Sequence, residues 1–159
     1  MEIEGLMMDP SSKTPIVILK EPGGEAVLPI WIGVFEANAI AMSLEGVEAP
    51  RPMTHDLLSE ALKAAGVKVD EIVITDLSDG TFYASIQLSI GRGGEVVNVD
   101  ARPSDALALA LRTEAPIFVF DSVIAAAQSA DMAKDSADEE RLKKWLEDIA
   151  PDDLGDYEM

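Results

Sequence analysis

The chain has 159 residues, no cysteine, and 30 Asp and Glu against 12 Lys and Arg, a formal charge of −18. A chain without cysteine has no disulfides, thiolate metal sites or cysteine nucleophiles. Its acidic balance argues against passive, charge-driven nucleic-acid binding, which needs Lys and Arg to neutralise phosphates; a local basic site, or a divalent ion bridging carboxylates to phosphate, stays open.

The first strand is expected from Ile3 to Met8, and Asp9-Pro10-Ser11-Ser12 is turn chemistry. A second strand runs from Pro15 to Leu19, Glu21-Pro22-Gly23-Gly24 turns the chain, and a third runs from Ala26 to Ile32. Three short apolar runs parted by turns read as an antiparallel meander. Gly33 leads into a helix from Phe35 to Leu44, with Ala37, Ile40, Ala41 and Leu44 at helical spacing. Pro50 and Pro52 hold the linker extended, since each pushes the preceding residue out of helix. Thr54 is the expected N-cap of a helix from His55 to Ala65, with Leu57, Leu58, Ala61, Leu62 and Ala65 as its apolar side.

Lys68 to Leu77 is the next strand, and Ser78-Asp79-Gly80 signals a hairpin. The return strand, Thr81 to Ile90, alternates Thr81, Tyr83, Ser85, Gln87 and Ser89 with Phe82, Ala84, Ile86, Leu88 and Ile90, so one face packs and the other is wet. Gly91-Arg92-Gly93-Gly94 joins two strands; phosphate loops precede a helix, so this is a hairpin turn. Val96, Val97 and Val99 form a strand that runs into Asp100-Ala101-Arg102-Pro103-Ser104-Asp105, where Ser104 is the expected N-cap of an alanine- and leucine-rich helix. After Arg112, Pro116 to Phe120 is a short strand. Asp121 or Ser122 caps a helix to about Ala130, Asp131 to Ser136 is polar and loose, and Ala137 to Ile149 is a charged helix with Leu142, Trp145, Leu146 and Ile149 on one side, ended by Pro151 to Leu154.

These elements define an α+β fold of antiparallel or mixed sheets with packed helices. It comprises one domain over 1–130 and an acidic helical C-terminal appendage over 131–159. A shift of 69 residues lays Glu36-Ala37-Asn38-Ala39-Ile40-Ala41 over Asp105-Ala106-Leu107-Ala108-Leu109-Ala110, each after a strand and a corner. If this is an internal duplication, Glu36 and Asp105 occupy equivalent helix starts. No run nears the ~18 apolar residues of a membrane helix, and Met1-Glu2-Ile3-Glu4 lacks the basic region and apolar block of a signal peptide. A cytoplasmic protein is the simplest expectation.

Glu36, Asp56, Asp100, Asp105 and Asp121 each stand at a strand-to-helix corner or a helix start. If two or three converge they suit Mg²⁺ or Mn²⁺, hard ions that take oxygen ligands; if not, they serve helix N-termini. The sole histidine, His55, lies beside Asp56 in a helix's first turn, as a general base, a metal ligand or a partly exposed side chain. Arg51 and Arg102 can clamp a phosphate bidentately or pair with carboxylates. A Ser-His-Asp hydrolase lacks its Gly-x-Ser-x-Gly elbow. The aromatics fall mostly on strands, as core.

Four motifs occur in order: Pro29-Ile30-Trp31-Ile32-Gly33 with Glu36-Ala37, Arg51-Pro52-Met53-Thr54-His55-Asp56-Leu57-Leu58, Asp79-Gly80-Thr81-Phe82-Tyr83-Ala84, and Asp100-Ala101-Arg102-Pro103-Ser104-Asp105-Ala106. Together, over roughly residues 1–130, they resemble the bifunctional nuclease family. The resemblance implies an α+β homodimer that cleaves DNA and RNA, and it carries over to Glu36, Arg51, His55, Asp56, Asp100, Arg102 and Asp105. In that reading His55, Asp56, Asp100 and Asp105 are catalytic, Arg51 and Arg102 hold substrate phosphate, and Glu36, Asp100 and Asp105 bind Mg²⁺ or Mn²⁺. The alternative is a non-catalytic dimeric binding or regulatory module whose motifs are structural and whose acidic tail recruits a protein partner.

Overall fold

The computed structural model of the chain describes residues 1–148. Its contacts divide it after Ile124 into two compact units, and the first holds both sheets. β1 (Glu2–Met8), β2 (Pro15–Lys20) and β3 (Val27–Trp31) form an antiparallel meander in the order β1-β2-β3. β2 is central and apolar, with Val17 and Leu19 fully buried. β3 is an edge strand, which is where Pro29 is tolerated, because its missing N–H leaves no gap in an inner ladder.

The second sheet has the order β6-β5-β4-β7, built from β4 (Val67–Ser78), β5 (Thr81–Ile90), β6 (Glu95–Ala101) and β7 (Ile117–Val119). β4 and β5 join through a two-residue loop in which Asp79 and Gly80 have φ of 50° and 75°. Positive φ at both positions is what a type I′ turn needs, and Asp-Gly supplies it. The alternation expected along β5 is present: Ala84 and Ile86 are buried, and Thr81 and Tyr83 are exposed. Gly91-Arg92-Gly93-Gly94 is the turn from β5 to β6.

β7 pairs in parallel with β4, Ile72 opposite Ile117, while β6 lies at the other edge. The helix between them, α3 (Pro103–Thr113), therefore carries the chain from one edge of the sheet to the other. It packs on β4, β5, α1 (Val34–Leu44) and α2 (Thr54–Ala64). Ala106, Leu107, Ala108, Leu109 and Ala110 are all buried; the alanines let backbones approach closely and the leucines fill the core with Ile40, Ile72 and Ile74.

Two details, the caps and the course of α4, differ from the sequence expectation, and the apolar side named for α2 is left open. Met53 and Arg102, not Thr54 and Ser104, are the N-caps of α2 and α3, and Pro103 takes the first helical position, where its missing N–H costs nothing. The apolar side of α2 is largely uncovered, with Leu57 60% and Leu58 40% exposed. The expected break over Asp131 to Ser136 is absent: α4 runs unbroken from Asp121 to Asp148. That segment is polar but holds neither Gly nor Pro, and Ala, Met and Lys are good helix formers. The helix end expected at Pro151 to Leu154, and the side chains of Leu142, Trp145, Leu146 and Ile149, lie outside the described residues.

Candidate functional site

α1, α2 and α3 each carry an acid at their third helical position: Glu36, Asp56 and Asp105. A carboxylate there is favoured by the helix dipole and the unpaired first-turn amides. Each of these carboxylates meets an arginine from α3 or its cap.

Arg102, fixed by the extended corner before Pro103, joins two of them. Its Nε donates to Asp105 Oδ2 and its Nη2 to Glu36 Oε1, both at 2.8 Å. The second oxygen of Asp105, Oδ1, is 2.8 Å from His55 Nε2. A continuous chain therefore runs Glu36–Arg102–Asp105–His55, drawn from three helix starts. A Cβ at Gly33 would come within 2.2 Å of Glu36 Oε2, so a larger residue there would shift the Glu36 carboxylate. The four side chains line a pocket of about 280 Å³ with Phe35 and Met53 on its rim.

Chemically, an Asp–His pair of this kind fixes the imidazole. When Nε2 carries the proton donated to Asp105, Nδ1 is the basic nitrogen. It has no hydrogen-bond partner among the described residues. Burial alone would raise the Asp105 carboxyl, but hydrogen bonds from Arg102 and His55 outweigh it and hold the group below the ordinary aspartate range. The Arg102 guanidinium is held more firmly protonated, by Asp105 first and then Glu36.

Asp56 is engaged elsewhere. Its Oδ2 accepts from the Met53 backbone N–H (3.0 Å), its Oδ1 from Arg112 Nε (2.6 Å). The Met53 amide first, then Arg112, lowers its pKa. Arg112 also donates to the carbonyls of Ala108 (2.9 Å) and Ala39 (3.1 Å), tying α1, α2 and α3 together. The motifs passed over Arg112. Its spacing of seven from Asp105 was a usable signal, since that interval returns a helix to the same face.

Arg51 and Asp100 are not drawn into this chain. Both are exposed, and neither makes an ion pair within 4 Å among the described residues; Asp100 lies opposite Ser85 on β6. For the expected metal set of Glu36, Asp100 and Asp105, the Arg102 guanidinium already stands between the first and third. No group of three His, Asp or Glu among the described residues is arranged to hold an ion. As folded, these donors do not fit Mg²⁺ or Mn²⁺.

The lowered Asp56 and Asp105 values make the fold sensitive to acid. Both lie below the unperturbed 3.8, so the unfolded chain takes up protons more readily. Their contribution is complete above about pH 4 and fades as pH falls through the lowered values. Urea unfolding at about pH 6 and about pH 3 should show that loss, and Asp105→Asn should lose less between the two.

Three helix starts delivering an Asp–His pair and a clamped arginine to one pocket of an α+β domain is an arrangement suited to phosphoryl or acyl chemistry. The family model for the bifunctional nuclease domain matches residues 17–131, and the chain belongs to that family. It is 38% identical to an uncharacterized protein of Mycobacterium tuberculosis, over 97% of this chain and 96% of that one. It is 28% identical to Bifunctional nuclease 1 of Oryza sativa subsp. indica, over 71% of this chain and 34% of the rice protein. With Bifunctional nuclease 1 of Arabidopsis thaliana the identity is 30%, over 66% and 33%. No helix among the described residues is long and apolar enough to cross a membrane.

Proposed function

We propose that the chain is a phosphodiesterase that cleaves DNA and RNA, working in the cytoplasm, with its chemistry in the pocket of His55, Asp105, Arg102 and Glu36. The observation that carries this reading is the unbroken chain of three contacts, each 2.8 Å, that positions a histidine and an arginine together. The names of the plant relatives support it at the level of the family.

In this reading Asp105 holds His55, which takes a proton from water. The water oxygen bonds to phosphorus, the ester P–O bond breaks, and the proton passes to the leaving oxygen. Arg102 bonds the phosphoryl oxygens as charge builds on them. Glu36 holds Arg102 in place, and Asp56 positions the start of α2 and hence His55. Asp100 and Arg51 are left for outer contacts with the strand.

A Mg²⁺ or Mn²⁺ ion on Glu36, Asp100 and Asp105 would require Arg102 to leave its two carboxylates, and no step is drawn through it. The test is cleavage of a labelled oligonucleotide by purified protein, with and without excess chelator. His55→Ala and Asp105→Asn are expected to lower the rate by about 10²–10⁴-fold, the range of general acid–base catalysis. Wild-type rates in both variants would sink the assignment. A strict need for Mn²⁺ or Mg²⁺ would replace the metal-free form of it.

The second reading is a non-catalytic dimeric module, with a partner on its acidic tail. It is favoured by the internal pairing of Arg102 and Arg112 and by the charge of −18, which repels a polyanion. It predicts no turnover copurifying with the protein. Light scattering on the full chain tests the homodimer in either reading.

A further inference from the structure

A second cleft, of about 360 Å³, lies between the end of β3, the Asp79-Gly80 turn and the start of α3, and Arg102 lines both it and the first pocket. We propose that this cleft holds the nucleotide unit next to the cleaved bond, on a single-stranded stretch of DNA or RNA; the proposal rests on the nuclease reading.

Ser104 is the first reason. It is the one buried polar residue among those described, 6% exposed, and its hydroxyl has no hydrogen-bond partner there. No fully enclosed side-chain N or O among the described residues is left unpaired, so this hydroxyl meets the open space of the cleft it lines. On a residue otherwise buried, a hydroxyl that opens onto the cleft without a protein partner is free to bond a group that enters there.

The second reason is the helix end beneath it. α3 has eleven residues and opens with Pro103, so its first available amides are those of Ser104 and Asp105. Neither finds an acceptor among the described residues. First-turn amides and the positive end of the helix dipole favour an anion.

The walls fit a nucleotide. In a chain of −18 the cleft is lined by one cation, Arg102, and by no carboxylate. Thr14 and Thr81 line it with further hydroxyls. Trp31, 45% exposed, forms another part of the wall, with its indole N–H held by Asp9 Oδ2 at 3.0 Å. Such an anchored aromatic face suits a stacked base, and a base reaches it only outside a duplex. The volume falls in the roughly 300–1,000 Å³ of small-ligand pockets. Arg102 has five N–H groups and gives two to Asp105 and Glu36. The remainder can serve the phosphate that links the two clefts.

The experiment is fluorescence anisotropy of labelled single-stranded hexathymidylate on the full chain, with hydrolysis of bis(4-nitrophenyl) phosphate, which carries no nucleobase, measured in parallel. Trp31→Ala should raise the Kd roughly 5- to 100-fold, and Trp31→Phe should restore most of it. Ser104→Ala should raise it roughly 3- to 10-fold. Hydrolysis of the small diester should be unchanged in all three. If the wild type cleaves oligonucleotides and the three variants bind like it, the subsite is wrong and the nuclease reading stands. If the variants lose binding while the wild type cleaves nothing, the subsite stands and the nuclease reading falls. Duplex bound as tightly as single strand, no wild-type binding, or equal loss of small-diester hydrolysis overturns the proposal.

Discussion

Arg112→Ala is expected to destabilise the folded state by about 2–4 kcal/mol, which thermal unfolding would register as a drop of roughly 5–15 °C for a chain of this size. The side chain is 11% exposed and holds three partners on three helices: Asp56, the carbonyl of Ala39 and the carbonyl of Ala108. Its removal strands a partly buried carboxylate and leaves two carbonyls short of a donor. The value sits at the lower end for a broken buried pair because Asp56 is 35% exposed and keeps its bond from the Met53 amide. Arg112→Lys should recover little, since one ammonium cannot reach along three directions as a guanidinium fork does. A change under about 0.5 kcal/mol in circular-dichroism melts of Arg112→Ala would show that the three helices are held by packing alone.

Arg102→Ala is expected to do the opposite: a large loss of activity with the fold retained. Cleavage of a single-stranded oligonucleotide should fall about 10²–10³-fold, the usual effect of removing one donor to transition-state charge. Stability should change by about 1 kcal/mol or less, because Arg102 is 66% exposed and its ion pairs are screened. Arg102→Lys should recover only part of the rate, because it cannot hold Glu36 and Asp105 while facing phosphate. The non-catalytic reading demands the reverse, a variant that unfolds beside a wild type that cleaves nothing. Measuring rate and melting temperature on one preparation separates the two.

Most of the secondary structure was legible because its signals are local. The Asp-Gly turn, the two-residue alternation of β5 and the Ala/Leu run of α3 each report on neighbouring residues. What failed depended on tertiary context. Polarity at Asp131 to Ser136 was read as looseness, although nothing in it breaks a helix. Helical spacing put Leu57 and Leu58 on one apolar face of α2, but spacing shows which residues share a face, not whether anything covers it. The site divides the same way. Glu36, His55, Arg102 and Asp105 were named from their places at corners, and the structure joins them. That Asp56 would turn to Arg112, and that Asp100 would stand apart, depended on how three helix starts pack. Ser104 was expected as a cap because Ser before a helix usually is one, and the Pro at the first helical position moved the cap to Arg102.

The parallel pairing of β4 with β7 has a kinetic consequence. The β4–β5 hairpin closes through two residues and can form on its own in microseconds. The step from Ile72 to Ile117 cannot, because β5, β6 and all of α3 lie between them in the chain. Closing that long loop brings little reward until α3 has settled on the hairpin, so β7 is added late. Until then one edge of β4 is bare, and the nascent chain is most exposed to pairing with another copy of itself at that strand.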